Sequence, residues 1–357
     1  MAFLKFKIRQ KRVHDGVVAV ADGCINGRSN VLDNFVAIRF SWEEIQVLTM
    51  NRSSSRMIGY GGFSSVYLAN FLDSSLGAVK VQCGSERLNQ VYKQELKILL
   101  TVSHPNIVKL KGYCDERDEG VLVFDYMCNG TLDENLRGRG KKNSMSLSWK
   151  RRMVIAFQLA LAIEYLHEKC SLQIVHGDIK ASNVLLDENF NCKLCDFGSA
   201  KMGFRSMVLP PPSSSSMNHN RLNHNRMIVG SQGYLDPHYL KTGLASKKQD
   251  IYSFGVILLE LITGTEAFCA KNRKNLTTIA DPMIRDPLKV KDMVDSRFDN
   301  DHTFSLEEAK VMASVSAKCL GQSPSIRLSA SEIVTTMKDQ VPSISYIFEK
   351  STTIAKE

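Results

Sequence analysis

The stretch His176-Gly-Asp-Ile-Lys-Ala-Ser-Asn183, followed closely by Asp196-Phe-Gly198, constrains this chain more than any other feature. It concentrates two carboxylates, an amide and a lysine in two short polar segments. Hard oxygen donors of this kind suit a small divalent cation, and a lysine beside them suits the neutralisation of phosphate charge. Any one of these residues alone reads as a turn or a loop cap. Jointly, in this order and spacing, they read as one site, and the fold must bring both segments to it.

The bulk numbers set the frame for that fold. With 43% apolar and 23% charged residues over 357 positions, the chain is an ordinary globular protein able to bury a large core. Its length fits a bilobal unit of about 280 residues with flanking tails. Nine cysteines, odd in number and without a regular framework, point to a reducing compartment. Cys192-Lys-Leu-Cys195 reads as structural, because on a strand its two thiols point to opposite faces. The apolar run around Phe254-Gly-Val-Ile-Leu-Leu-Glu260 is short and ends on a carboxylate, so no membrane span is expected. The N-terminus lacks the apolar stretch of a signal peptide. A cytoplasmic protein is expected, peripheral to the plasma membrane if its basic end is an anchor.

The net charge of +9 is unevenly placed. Residues 1–12 carry Lys5, Lys7, Arg9, Lys11 and Arg12 with no acid, and the span from Lys201 to Lys241 adds five basic residues against Asp236 alone. This pattern does not imply a nucleic-acid surface, and no module for one is recognisable. The first cluster suits weak contact with anionic lipid, at roughly 1 kcal/mol per basic residue, with a solvated tail as the plainer reading. Ala2 excludes N-myristoylation.

Along the chain, a polar lead gives way to Phe40-Ser-Trp-Glu-Glu-Ile45, where Ser41 N-caps a short helix and Glu44 completes a capping box. Ordered structure is expected to begin there. Short β-type runs from Met57 to Val81 precede a helical pattern from Leu88 to Val102, which makes a small β-rich lobe with one main helix. After Val121-Leu-Val-Phe-Asp-Tyr126, a strand ending in a polar connector, helices are predicted over Trp149–Lys169, Ser246–Thr263, Leu306–Leu320 and Ser329–Lys338, the second of them central. The span from Met207 to Arg226, with its Pro run, Ser run and doubled Asn-His-Asn-Arg unit, reads as a mobile surface loop. His219 and His224 within it lack acidic or thiolate neighbours, so a metal role is not favoured.

Candidate site residues extend upstream of the polar core. In Ile58-Gly-Tyr-Gly-Gly-Phe-Ser-Ser-Val-Tyr67, Gly59, Gly61 and Gly62 allow a turn to approach phosphate oxygens closely, although such a turn taken alone is more often only a turn. Lys80, in Ala78-Val-Lys80, is placed to grip phosphates, and Glu95 on the following helix is placed to pair with it. In the polar core Asp178 is the candidate base for a hydroxyl proton and Lys180 the charge neutraliser. Asn183 and Asp196 are the candidate ligands of Mg2+ or Mn2+.

In these motifs the chain resembles the protein kinase superfamily, and within it the plant receptor-like and receptor-like cytoplasmic kinases. Leu110-Lys-Gly-Tyr-Cys114, Asn129-Gly-Thr-Leu132, Gly230-Ser-Gln-Gly-Tyr-Leu-Asp-Pro237 and Asp250-Ile-Tyr-Ser-Phe-Gly255 carry the resemblance beside the site itself. It implies the α+β, two-lobed protein kinase fold. The implied boundaries are a basic lead over 1–39, a kinase domain over 40–340 and a tail over 341–357. Within the domain, an N-lobe runs to about 123, a C-lobe from about 128, and an activation-segment insertion covers about 205–229.

The resemblance implies transfer of the γ-phosphoryl group of ATP to protein serine or threonine hydroxyls, with Ser213 to Ser216 of the chain itself among the acceptors. Adenine would sit between Val66 and Ala78 above and Leu185 below, on the backbone of Asp125-Tyr-Met127, behind Phe124. Leu99, Leu110, His176 and Phe197 would stack in the active state. Protein substrates and a membrane receptor or receptor-like kinase would be its partners, and nucleic acid would not.

Three departures from the family pattern stand out. Ser64 replaces the third glycine of the loop. Gly177 replaces the arginine that ordinarily binds an activation-segment phosphate, so activity is expected not to depend strictly on that phosphorylation. His238 stands where a glutamate would pair with Arg327, and a hydrogen bond from Arg327 to neutral His238 is expected in its place. These departures also suit an alternative reading, a catalytically weak scaffold or decoy in a receptor complex.

Overall fold

A computed structural model describes residues 37–138, 147–203 and 230–345. The basic residues 1–12, the Ser213–Ser216 run, His219 and His224, the proposed 205–229 insertion and most of the proposed tail lie outside the described residues.

The small lobe is built on a six-stranded sheet in the order β1-β5-β6-β4-β3-β2. Its strands are β1 (Ile38–Arg39), β2 (Met57–Tyr60), β3 (Ser64–Asn70), β4 (Leu76–Gln82), β5 (Leu110–Cys114) and β6 (Val121–Asp125). The pairings are antiparallel except for β1, which runs parallel to β5 with Ile38 opposite Gly112. Ordered structure therefore starts before Phe40, because the residues preceding the α1 helix add a strand to the sheet edge.

Helix α1 (Trp42–Leu48) begins on the capping box read from sequence, Ser41 accepting from the Glu44 N–H while Glu44 accepts from the Ser41 N–H. Its Trp42 and Ile45 close the outer face of the sheet over Tyr67, Val79, Val81, Val121 and Val123. Alternation along β4 then settles the other face: with Val79 and Val81 turned to that cluster, Ala78, Lys80 and Gln82 face the opposite side. Helix α2 (Glu86–Leu99) packs there, started by Ser85, whose hydroxyl accepts from the Leu88 N–H. It opens two residues earlier than the apolar pattern indicates because the cap, not the first apolar residue, sets the start.

The larger lobe follows as α3 (Leu132–Leu136), α4 (Trp149–Glu164), the short strands β7 (Ile174–Val175), β8 (Val184–Leu186), β9 (Cys192–Leu194) and β10 (Lys201–Met202), then α5 (Pro237–Thr242) and α6 (Lys247–Thr263). A small hairpin of β11 (Phe268–Cys269) and β12 (Lys274–Asn275) precedes α7 (Leu276–Ile284), α8 (Leu306–Cys319) and α9 (Ala330–Gln340). Helix α6 is buried along almost its whole length, as its continuous apolar run demands. Side chains such as Phe254 contribute about 1.5–3 kcal/mol each by leaving water. The helix predicted over Trp149–Lys169 forms as α4 and then widens into a π-helical turn over Tyr165–Lys169. That turn brings the buried His167 against Asp250 of α6.

Among the described residues no helix is long and apolar enough to cross a membrane. The architecture is a mixed α+β fold, with an N-terminal sheet carrying one long helix and a C-terminal part made mostly of helices.

Candidate active site

The site lies where the cleft face of β4 meets the loops around β8 and β9. Antiparallel pairing of β8 with β9, Val184 opposite Leu194, sets the segments ending in Asn183 and beginning at Asp196 side by side. Sequence separation between the two polar motifs is thereby cancelled by a hairpin.

Lys80 Nζ sits between two carboxylates, 2.9 Å from Glu95 Oε1 and 2.8 Å from Asp196 Oδ1. Burial works against the charge on Lys80, but Glu95 and Asp196 outweigh it and raise its pKa, so the ammonium persists. Burial also raises the Glu95 pKa, with Lys80 opposing. At Asp196 burial acts in the same upward sense, yet Lys80 prevails and holds the carboxyl below its ordinary range. The result is a fixed cation beside an ionised Asp196.

The second half of the site surrounds Asp178. Its Oδ1 accepts the Ser231 hydroxyl at 2.9 Å, and its Oδ2 lies 2.8 Å from Lys180 Nζ and 3.2 Å from Asn183 Nδ2. Lys180 also donates to Ser231 Oγ at 2.8 Å. Asn183 Nδ2 further donates to the Asp178 carbonyl at 2.9 Å, so its Oδ1 is the donor atom left for a cation.

Backbone anchors fix this loop. Asp250, buried on α6, accepts from the His176 and Gly177 N–H groups at 2.8 Å each and bonds His167 Nε2 at 2.8 Å. Gly177 adopts φ +80°, and a Cβ there would lie 2.9 Å from the Ser199 carbonyl oxygen. Tyr234 bridges the loop to α6, accepting from the Ala181 N–H at 3.3 Å and donating to Glu260 Oε2 at 2.5 Å. Glu260 is completely buried beside Arg137, and burial pushes its pKa up to about 7 against the pull of Arg137 and Tyr234.

Of the residues expected to stack, Leu99, Leu110 and Phe197 are buried in one cluster, and the buried His176 ring lies 4.8 Å from Phe197, edge to face. Of the expected adenine pocket, Ala78 pairs with Phe124 across β4 and β6, Val66 faces Lys80 across β3 and β4, and Leu185 bridges to Thr131. Val66, Ala78, Phe124 and Leu185 are all half-buried. Asp125, Tyr126 and Met127 follow directly at the end of β6, and the Asp125 side chain is turned to Lys111 at 2.8 Å.

The glycine turn joins Ile58 and Gly59 on β2 to β3. Neither Gly59, Gly61 nor Gly62 lies at positive φ, and a Cβ on Gly62 would meet nothing within 4 Å. Among the described residues nothing therefore crowds these positions, and the backbone of the turn is open to close approach. The donor set agrees with a divalent cation carrying phosphates: one carboxylate, one amide oxygen and a neighbouring lysine, leaving the remaining positions to phosphate oxygens and water.

One expected contact is overturned. Arg327 does not bond His238. It donates from Nη1 and Nη2 to the two oxygens of Asp236, 2.7 Å each, and from Nε to the Gly321 carbonyl. An ionised carboxylate matches the guanidinium fork, which a neutral imidazole cannot do. Asp236 also N-caps α5 by accepting the His238 N–H at 2.9 Å, so the turn itself aims its carboxylate inward. Sequence reading missed Asp236, and it missed Asp250, Tyr234 and Gln82 as ties to the site.

A fold with this cleft, and with a lysine, two acids and an amide converging on it, defines a protein kinase. Residues 52–337 match the protein kinase domain family, to which the chain belongs. "Salt tolerance receptor-like cytoplasmic kinase 1" of Oryza sativa subsp. japonica is 48% identical over 310 residues, covering 86% of this chain and 82% of that protein. A probable receptor-like protein kinase of Arabidopsis thaliana is also 48% identical, over 317 residues and 89% of its length. The "Probable serine/threonine-protein kinase PBL12" of Arabidopsis thaliana is 35% identical over 311 residues and 69% of its length. Within the protein kinases the chain is a serine/threonine kinase of the plant receptor-like kinase family.

Proposed function

We propose that the chain transfers the γ-phosphoryl group of ATP to protein serine and threonine hydroxyls, with Asp178 as base. The observation that carries this reading is the position of Lys80 Nζ, held by Glu95 at 2.9 Å and by Asp196 at 2.8 Å, on the strand paired with β3, which the glycine turn leads into.

Lys80 grips the α- and β-phosphates, and Glu95 fixes its direction. The turn of Ile58, Gly59, Gly61 and Gly62 covers the phosphates and offers them the Gly62 N–H, the Gly61 N–H being bonded to the Ser64 carbonyl at 2.8 Å. Val66, Ala78 and Leu185 bury the adenine against the backbone of Asp125 and Met127, and Phe124 closes the rear. Asn183 and Asp196 would hold Mg2+ or Mn2+, which would supply positive charge beside the transferring group. Asp178 accepts the proton of the attacking hydroxyl as the new O–P bond forms and the bond to the β-phosphate oxygen breaks. Ser231 supports this role, since its hydroxyl already reaches Asp178 Oδ1 at 2.9 Å. Lys180 offsets the developing negative charge.

The catalytic domain covers 40–340, and Gly177 makes the catalytic loop independent of an activation-segment phosphate. The protein acts in the cytoplasm at a membrane receptor or receptor-like kinase, with residues 1–12 as a weak contact for anionic lipid.

The test is phosphate incorporation into a generic protein substrate by wild type, Asp178→Ala and Lys80→Met. Loss of about a thousandfold or more in both variants is expected. Equal incorporation by all three proteins rejects catalysis and leaves the scaffold reading.

A further inference from the structure

Gln82 lies two residues beyond Lys80 on β4, on the same face of the strand, and is buried. Its Nε2 donates to Glu95 Oε2 at 3.1 Å, beside the bonds from Lys80 Nζ at 2.9 and 3.0 Å. Chemistry dictates the direction of the amide: a carboxylate only accepts, so the NH2 end must face Glu95. The other end is left at a disadvantage, because Gln82 Oε1 is buried without a hydrogen-bond partner. A leucine or methionine would fill the same space without orphaning an acceptor. Packing therefore does not explain the amide, and what it adds is a neutral donor on Glu95.

We propose that Gln82 is a positioning residue for phosphoryl transfer, its amide holding the Glu95 carboxylate turned toward Lys80. The proposal rests on the assignment of Lys80 as the phosphate-gripping lysine. Glu95 is then clasped by two side chains of β4, Lys80 and Gln82. The charged or titratable groups facing it are Lys80, Asp196 and Cys195. Lys80 and Asp196 cannot be altered without removing the site itself. Gln82 can, because it carries no charge and is not expected to touch the nucleotide.

The sign of the effect follows from Glu95. Its pairing with Lys80 needs the ionised form, which burial disfavours. Removing the Gln82 donor lets Glu95 protonate more readily, so activity falls most at low pH. A glutamate at position 82 does the reverse. Neutral at low pH, it can donate to Glu95; ionised at higher pH, it repels it.

The experiment is the pH dependence of kcat and of KM for ATP, from about pH 6 to about pH 9, for the full chain carrying Gln82→Leu, Gln82→Met or Gln82→Glu. The two apolar variants are expected to lose up to about tenfold in kcat, the worth of one hydrogen bond to a charged group, with the loss larger at the acid end than at the alkaline end. Gln82→Glu is expected to show the opposite slope. A purely structural role would lower activity evenly across pH. Flat or wild-type profiles in Gln82→Leu and Gln82→Met overturn the proposal, even if Gln82→Glu fails to fold. The same plates carry Lys80→Met and Asp178→Ala: activity retained in those two would instead overturn the reading of the site on which the proposal rests.

Discussion

Arg327 and Asp236 form a bidentate ion pair, 2.7 Å at each contact, with both side chains withdrawn from water. The pair joins the turn that starts α5 to the segment before α9. It also holds the Lys248 end of α6, since Arg327 Nη1 donates to the Lys248 carbonyl at 2.8 Å.

Breaking such a pair from one side leaves a buried charge without a partner. Asp236→Ala is expected to destabilise the protein by about 3–5 kcal/mol, whereas His238→Ala should change stability by less than about 1 kcal/mol. Equilibrium urea unfolding of the two variants checks this. A larger loss in His238→Ala would restore the histidine as the partner of Arg327.

Glu260 gives a pH signature. Its pKa is raised in the folded protein, from an ordinary 4.5 to about 7, mainly by burial. The folded state therefore holds this proton where the unfolded state has released it, and the stability it contributes is full below about pH 4.5 and lost as pH rises through about 7. Glu260→Gln keeps the shape and removes the titration. Relative to that variant, wild type should lose about 2–3 kcal/mol between pH 4.5 and pH 7.5, read from denaturant unfolding at a series of pH values. A difference that stays constant with pH contradicts the assignment.

Gly177 gives a backbone signature. Any side chain there must occupy φ +80° and place its Cβ 2.9 Å from the Ser199 carbonyl oxygen. Gly177→Ala is expected to cost about 1–3 kcal/mol in unfolding free energy. Gly177→Arg should be at least as costly and should not gain dependence on phosphorylation. Thermal or denaturant unfolding of both variants, beside phosphate-transfer assays, measures the two effects.

How much of this was legible in the sequence depended on how local the determinants are. Lys80, Asp178, Lys180, Asn183 and Asp196 stand in short motifs whose spacing survives folding, and the Ser41–Glu44 cap is read from a tetrapeptide. Helix α6 was placed by its own apolar run. Partner choice is another matter. Arg327 has both His238 and Asp236 at nearly equal sequence distance, and only the turn geometry at Pro237 decides between them. Gln82, Asp250 and the Arg137–Glu260–Tyr234 chain are ordinary residues until α2, α3 and α6 are packed. Strand β1 is too short to carry a pattern and forms only because β5 offers a free edge.

We propose that contacts within the protein, rather than a phosphate on the activation segment, assemble the active arrangement. Lys80 on Glu95, Phe197 on His176 and Ser231 on Asp178 are all in place with Gly177 in the catalytic loop. The most direct measurement is turnover on a protein substrate after complete dephosphorylation, at enzyme concentrations too low for one molecule to phosphorylate another. Most of the untreated activity should remain, and its near-complete loss, restored by rephosphorylation, would contradict the claim.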